Sequence, residues 1–166
     1  MRVNKWGHNG WDFLHTITFN YPIKPTIKDK ENYKTLFLSL NNTLPCIYCQ
    51  ESFIIYSKYI PIDYYLEDRN GLSYWLYIIH NLVNYKLGKE NVNFIDVIKK
   101  YESYRAKCGK MTNENKNNVL TCQIKAETLD LDFINKINDD TLLKYENITI
   151  KYLIDLYKSK NIVKCD

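Results

Sequence analysis

Apolar residues recur along the first part of the chain with the spacing expected of helix faces. Between Lys5 and Tyr21 they predict a first helix, which should end at "YPIKP" because proline cannot continue a helix. From Lys30 to Leu44 the spacing i, i+3, i+4 and i+7 predicts a second helix with one buried face. The residues on that face are Tyr33, Leu36, Phe37 and Leu40.

Three further segments repeat this pattern. A third helix is predicted from Cys46 to about Tyr59, and a fourth from Leu72 to Leu87, followed by Gly88, a residue suited to a helix C-terminus. A shorter fifth helix is predicted from Phe94 to Tyr104. No convincing hairpin signal interrupts these segments. The predicted fold is therefore all-α, a four-helix bundle with a short fifth helix.

The pattern changes after the fifth segment. The stretch "GKMTNENKNN" is polar and rich in turn residues, which is typical of a linker. Apolar residues return in "TLLKYENITIKYLIDLYKS", where one or two helices fit, although "NITIKYL" also alternates like a strand. We therefore expect a domain over residues 1–107 and a C-terminal extension over residues 108–166.

Composition excludes several classes of function. The net charge of +4 comes from 23 basic and 19 acidic residues, which is too small and scattered an excess to indicate nucleic-acid binding. No signal-peptide core and no apolar stretch long enough to span a membrane is present. Five cysteines are too few for a disulfide scaffold and leave at least one unpaired. We expect a soluble protein whose cysteines take part in chemistry.

The strongest chemical signal is "LPCIYCQESF", in which Cys46 and Cys49 form a CxxC pair at the start of the third predicted helix. Backbone N–H groups and the helix dipole favour thiolates there, which suits disulfide exchange. A zinc site usually needs a second short pair of ligands, and Cys108 and Cys122 are too far apart in the chain to be one. A thioredoxin-like domain would need a buried strand before CxxC, and a helix is predicted instead.

Two other stretches indicate what could accept electrons from this pair. "WGHNGWDFLHTITFNYP" places Trp11 and His15 one helical turn apart, and "YWLYIIHNLVNYKLGK" does the same for His80 and Asn84, with Lys89 just beyond. Aromatic, imidazole, amide and cationic groups together suit a flat ring system that carries phosphates. Taken singly, each of these residues also fits ordinary core packing.

The order W-x4-W-x3-H-x5-YP, then CxxC, then W-x4-HN-x-VN-x2-LGK resembles the Erv/ALR family of FAD-linked sulfhydryl oxidases over residues 5–105. The short form and composition are most similar to the versions encoded by large cytoplasmic DNA viruses. The resemblance implies that FAD binds non-covalently within the bundle, usually in a homodimer. It also implies a thiol oxidase that forms disulfides in protein clients and passes electrons to molecular oxygen, producing hydrogen peroxide.

The resemblance also implies roles for individual residues. Cys49 is expected against the flavin ring, and Cys46 is expected to face the incoming thiol. No metal is implied. The implied cofactor-binding residues are Gly7, Trp11, His15, Tyr21, Trp75, His80, Asn81, Asn84, Leu87 and Lys89.

The chain departs from the family after "LGK". Cellular members carry a cysteine shortly after this motif, and this chain has none there. The favoured connectivity is a bridge between Cys108 and Cys122, with Cys165 free or joining two chains. Tyr101 and Tyr104 stand where the family has tryptophans. If the chain is viral, host cytoplasm or the virus particle is the expected location. The alternative function is a zinc-stabilised or purely helical protein-interaction module.

Overall fold

The computed structural model describes residues 1–104, so the predicted extension 108–166 lies outside the described residues. Five α-helices and one 3₁₀ turn, with no strand among the described residues, confirm the all-α prediction. The elements are α1 Val3–Phe19, α2 Ile27–Thr43, α3 Ile47–Tyr59, the 3₁₀ turn Ile62–Tyr65, α4 Arg69–Lys86 and α5 Phe94–Glu102.

Two helices begin about one turn earlier than their apolar pattern predicts, because capping residues lie ahead of that pattern. Thr26 and Asp29 form a reciprocal capping box that starts α2. Asp68 caps α4 by accepting a hydrogen bond from the Gly71 N–H at 2.7 Å. At the other end of α4, Gly88 has φ of +66°, the left-handed conformation common just after a helix C-terminus.

Helix α4 is the centre of the described core. It packs against α1, α5 and the 3₁₀ turn, while α2 packs against α3. Trp75 is fully buried, and its indole Nε1 donates to the Ile60 carbonyl at 2.9 Å. Gly71 permits the close approach of the 3₁₀ turn, since a Cβ at this position would lie 2.6 Å from the Tyr65 carbonyl oxygen.

The predicted buried face of α2 is wrong at one position. Phe37 is fully buried, and Tyr33 and Leu40 are half-buried, but Leu36 is 41% exposed. On α1, the apolar side chain of Phe13 is 67% exposed. Periodicity places a residue on a helix but does not tell how wide a face the neighbouring helices cover. Across the described residues, no helix is both long enough and apolar enough to span a bilayer.

Candidate active site

The CxxC pair lies at the start of α3. Cys46 is the N-cap residue, with extended backbone dihedrals, and its carbonyl accepts hydrogen bonds from the N–H groups of Cys49 and Gln50, each at 3.0 Å. Pro45 precedes Cys46, in the short connection between α2 and α3. Both cysteines are half-buried. The helix therefore begins between the two thiols and leaves each of them partly accessible.

Both cysteines line a cavity of about 590 Å³, a size typical of ligand sites. Its walls are formed by the start of the chain, the N-terminal part of α1, most of α3, the end of α2 and the end of α4. Aromatic residues contribute much of the lining, and these are Trp6, Trp11, Tyr48, Phe53 and Tyr56. The arrangement provides an apolar, aromatic space with two thiols at one side.

A few polar groups interrupt this apolar wall. The Lys86 ammonium donates to Ser52 Oγ at 2.7 Å, and Arg2 lines the cavity near the start of α1. The indole Nε1 of Trp6 is buried and has no hydrogen-bond partner among the described residues. A buried donor without a partner is costly, so this atom favours a ligand that supplies an acceptor.

A second group of predicted site residues lies between α1, α4 and α5. We call Trp11, His15, His80 and Tyr101 the histidine cluster. The ring of Trp11 stacks on that of His80 with centroids 4.0 Å apart, and His15 stacks on Tyr101 at 4.8 Å. His15 Nε2 and His80 Nδ1 are 3.1 Å apart and share a hydrogen bond. Trp11 also lines the cavity, so it connects the two regions.

Both imidazoles are neutral at physiological pH. Burial lowers the pKa of His15 to about 3, and the nearby charges of His80 and Lys100 add to the effect. Burial also lowers the pKa of His80 to about 4, with Lys100 and Lys89 contributing. These histidines can therefore donate or accept hydrogen bonds, but they carry no charge at neutral pH.

Two residues that the motifs did not indicate, Asp12 and Lys100, support the cluster from outside. Asp12 Oδ1 accepts hydrogen bonds from Lys100 Nζ at 2.6 Å and from the Tyr101 hydroxyl at 2.8 Å. The hydrogen bond from Lys100 lowers the pKa of Asp12, which stays ionised at neutral pH. Burial and the bond to Asp12 raise the pKa of Tyr101. Asp12 thus ties α5 to α1 and holds Tyr101 against His15.

The predicted cofactor-binding residues fall into four places: the cavity, the histidine cluster, the core, and the connection from α4 to α5. Gly7, Trp11 and Leu87 line the cavity together with the cysteines. His15 and His80 join Trp11 in the histidine cluster. Tyr21 and Trp75 lie in the core instead.

Tyr21 is fully buried, and its hydroxyl donates to the Leu66 carbonyl at 2.9 Å. Trp75 makes edge contacts with Phe37 and Phe53. Because Phe53 also lines the cavity, Trp75 stands one side chain behind its wall.

The remaining predicted residues shape the connection from α4 to α5. Asn81 donates from Nδ2 to the Val92 carbonyl at 3.0 Å, and its Oδ1 accepts the Val92 N–H at 3.1 Å. The Asn84 carbonyl accepts the Lys89 N–H at 2.8 Å, and the Asn84 amide donates to Asn81 Oδ1 at 3.4 Å. The Lys89 side chain is exposed. These amides hold the chain after Gly88 against the end of α4.

Comparison with known proteins gives consistent matches. The sequence model of the Erv1/Alr family matches residues 8–103. A probable FAD-linked sulfhydryl oxidase of Acanthamoeba polyphaga mimivirus is 38% identical over 103 residues, covering 61% of this chain and 72% of that protein. The FAD-linked sulfhydryl oxidase ERV1 of Arabidopsis thaliana is 31% identical over 124 residues, covering 75% of this chain and 58% of the relative.

Solved structures agree with the fold. The yeast Erv1 core superposes with a TM-score of 0.59 at 26% identity, covering 64% of this chain and 88% of that one. The FAD-binding domain of Erv1 from Saccharomyces cerevisiae gives a TM-score of 0.56 at 28% identity, covering 64% of this chain and 99% of that one. The full-length yeast relative is matched over only 45% of its own length.

Proposed function

The chain belongs to the Erv1/Alr family, and from that premise we propose that it is an FAD-dependent thiol oxidase that forms disulfide bonds in protein clients and delivers the electrons to molecular oxygen. One observation carries the proposal. Cys46 and Cys49, at the start of α3, line a cavity of about 590 Å³ whose walls include Trp6 and Trp11. A redox-active pair and a space for a flat aromatic cofactor therefore adjoin each other.

The cavity fits FAD in its chemistry. Its aromatic and apolar wall suits a flavin ring, and the Trp6 Nε1 donor lacks a partner among the described residues. Gly7, Trp11 and Leu87 would hold the cofactor along the wall, and Lys86 and Arg2 supply positive charge that suits an anionic ligand. FAD supplies the two-electron redox chemistry that no side chain can provide.

The histidine cluster would hold a second part of the cofactor. Trp11 belongs to both the cavity and the cluster, so a ligand along the cavity wall reaches the stacked rings of Trp11 and His80. His15 Nδ1 is buried and has no partner among the described residues, so it is available to a ligand. Since both imidazoles are neutral, they would bind by stacking and hydrogen bonding rather than by charge.

The cysteines perform the thiol chemistry. A client thiolate attacks the Cys46–Cys49 disulfide at Cys46, forming a client–Cys46 disulfide and releasing the Cys49 thiolate. A second client thiolate then attacks the client sulfur, which yields the client disulfide and leaves Cys46 and Cys49 reduced. Cys46 and Cys49 then re-form their disulfide and give up two electrons and two protons, which bound FAD would carry to oxygen. Over the whole cycle, two client thiols and one oxygen molecule become one client disulfide and one hydrogen peroxide. No general base is assigned, because the thiolate is itself the nucleophile.

Cys46 suits the attacked position because it is the N-cap, at the outer end of the helix, while Cys49 lies one turn further in. Protein thiol clients are the proposed substrates, and a homodimer is the proposed assembly. Light scattering on the purified full chain measures the mass in solution, and the mass of a monomer would contradict the dimer.

The oxidase function is tested on the purified full chain. We expect a yellow protein with flavin absorbance that consumes oxygen in the presence of a small dithiol and forms hydrogen peroxide in a one-to-one ratio with the oxygen consumed. A colourless protein that fails to bind added FAD would overturn the proposal. A flavoprotein that leaves dithiols unoxidised would overturn the activity but not the cofactor.

A further inference from the structure

Lys86 connects the end of α4 to the CxxC segment through Ser52. Its Nζ donates to Ser52 Oγ at 2.7 Å, and the Ser52 hydroxyl donates to the Tyr48 carbonyl at 2.8 Å. Tyr48 stands between the two cysteines in the sequence. The same cavity is lined by Lys86, Ser52, Cys46 and Cys49. A cation of α4 is therefore anchored beside the helix turn that carries the reactive pair.

The charge of Lys86 is not neutralised by a neighbouring carboxylate. Three other lysines form ion pairs, Lys30 with Glu67, Lys34 with Asp63 and Lys100 with Asp12. Within residues 1–104, Lys86 has no carboxylate oxygen within 4.0 Å, and its hydrogen-bond partner there is a neutral hydroxyl. Because the surrounding wall is largely apolar, this charge acts over a longer range than it would in water.

Ser52, which binds the Lys86 ammonium, lies closer along α3 to Cys49 than to Cys46. Ser52 follows Cys49 by three positions on α3, and residues at that spacing share a helix face with Cβ atoms about 5–6 Å apart. Cys46 is the N-cap and lies a further turn away along the helix. Other titratable groups on the cavity wall come from α3 and from the chain start, and these are Cys46, Tyr48, Tyr56, Arg2 and the amino group of Met1. Arg2 is exposed, so solvent screens its charge.

We propose that Lys86 is a positioning residue that stabilises the Cys49 thiolate and thereby directs client thiols to attack Cys46. The proposal rests on the thiol oxidase function. When a client thiolate attacks Cys46, the Cys46–Cys49 bond breaks and its electron pair goes to Cys49. A leaving thiolate that is more stable departs faster. A cation beside Cys49 thus makes attack at Cys46 faster than attack at Cys49.

The experiment measures thiolate formation at Cys49 directly. In the full chain carrying Cys46→Ser, the alkylation rate of Cys49 by iodoacetamide is followed against pH, and peptide mass spectrometry identifies the labelled cysteine. Adding Lys86→Met is expected to move the midpoint of this profile upward by about one pH unit, at the lower end of the range for a neighbouring charge. Lys86→Arg, which keeps the charge, is expected to restore the original midpoint.

Lys58→Met is the matched control, because Lys58 is an exposed lysine of α3 that does not line the cavity. It should leave the midpoint unchanged. Should Lys86→Met fail to fold, Lys86→Gln gives the same test, since an amide can still donate to Ser52 without a charge.

An unchanged midpoint in Lys86→Met or Lys86→Gln overturns the proposal. A shift that Lys86→Arg does not reverse also overturns it, since the effect would then be one of packing rather than charge. The alkylation result does not depend on the oxidase assay. A protein without flavin or peroxide formation would contradict the proposed function, while the alkylation profile would still report the charge at Cys49.

Discussion

The cavity beside the cysteines and the histidine cluster differ in how accessible their side chains are and in how much those side chains contact one another. In the cavity, both thiols are partly accessible, and the Trp6 indole donor has no partner among the described residues. In the cluster, the side chains are largely buried and interact with one another through the His15–His80 hydrogen bond and two ring stacks, and the buried His15 Nδ1 has no partner among the described residues. The first arrangement suits chemistry on an incoming molecule, and the second suits a rigid support. The proposed oxidase assigns electron transfer to the first region and cofactor binding to both.

The largest expected effect separates electron transfer from cofactor binding. Cys49→Ser is expected to abolish dithiol oxidation while the purified protein keeps its flavin, because the thiol carries electrons but little of the binding surface. Oxygen consumption and the flavin-to-protein absorbance ratio measure both quantities. Cys165→Ser is the matched control, with an unchanged rate for a small dithiol. Full activity in Cys49→Ser would show that the reactive pair is elsewhere.

Changing the histidine cluster should weaken FAD binding, the property that Cys49→Ser is expected to leave intact. His80→Ala removes the ring that stacks on Trp11 and the partner of His15 Nε2. We expect FAD affinity to fall at least about tenfold and the free energy of unfolding to fall by roughly 1–3 kcal/mol, because a buried polar group loses its partner.

Flavin titration of the apoprotein measures the affinity, and urea unfolding measures the stability. His8→Ala is the control, because the His8 side chain is 83% exposed and touches the cluster's surroundings only through a 3.9 Å contact with Asp12. A His80→Ala protein with a full flavin complement would show that the cluster supports the fold alone.

Acid should destabilise the protein through the same cluster. The pKa values of His15 and His80 are lowered to about 3 and about 4 in the folded state, so the unfolded chain binds more protons between about pH 6.5 and pH 4. The free energy of unfolding therefore decreases as the pH falls through this window, by up to about 1.4 kcal/mol per pH unit for each histidine.

Urea unfolding at a series of pH values measures this slope. His80→Asn removes one titrating ring and is expected to give a smaller slope. A wild-type stability that stays constant from pH 6.5 to pH 4 would contradict the low pKa values.

A smaller effect is expected at the hydrogen bond that ties α5 to α1. Tyr101→Phe removes the hydroxyl that donates to Asp12 but keeps the ring that stacks on His15. A hydrogen bond to a charged group contributes about 1.5–3 kcal/mol. Because the Asp12 side chain is 31% exposed, we expect the lower end, about 1.5 kcal/mol by urea unfolding.

Tyr64→Phe is the matched control, since Tyr64 is 76% exposed. Equal losses of stability in the two variants would rule out a specific contribution from the bond to Asp12.

Several features of this protein follow from its local sequence. Helical periodicity predicts all five helices, and the CxxC pair stands at the start of α3 as predicted. The apolar pattern missed the early starts of α2 and α4, which are set by Thr26 with Asp29 and by Asp68, capping residues that lie ahead of that pattern. These features depend on residues within a few positions of one another, so the sequence alone contains the information.

Tertiary packing decided the rest of the candidate site. Asp12 and Tyr101 are 89 positions apart, and His15 and His80 are 65 apart, so no local pattern could pair them. The motifs indicated both histidines, but only the packing of α1, α4 and α5 shows that they bind each other. The same packing determines which apolar side chains are buried, and it leaves Phe13 exposed. Periodicity fixes where a side chain lies on its own helix, whereas burial and pairing depend on which other helices cover that face.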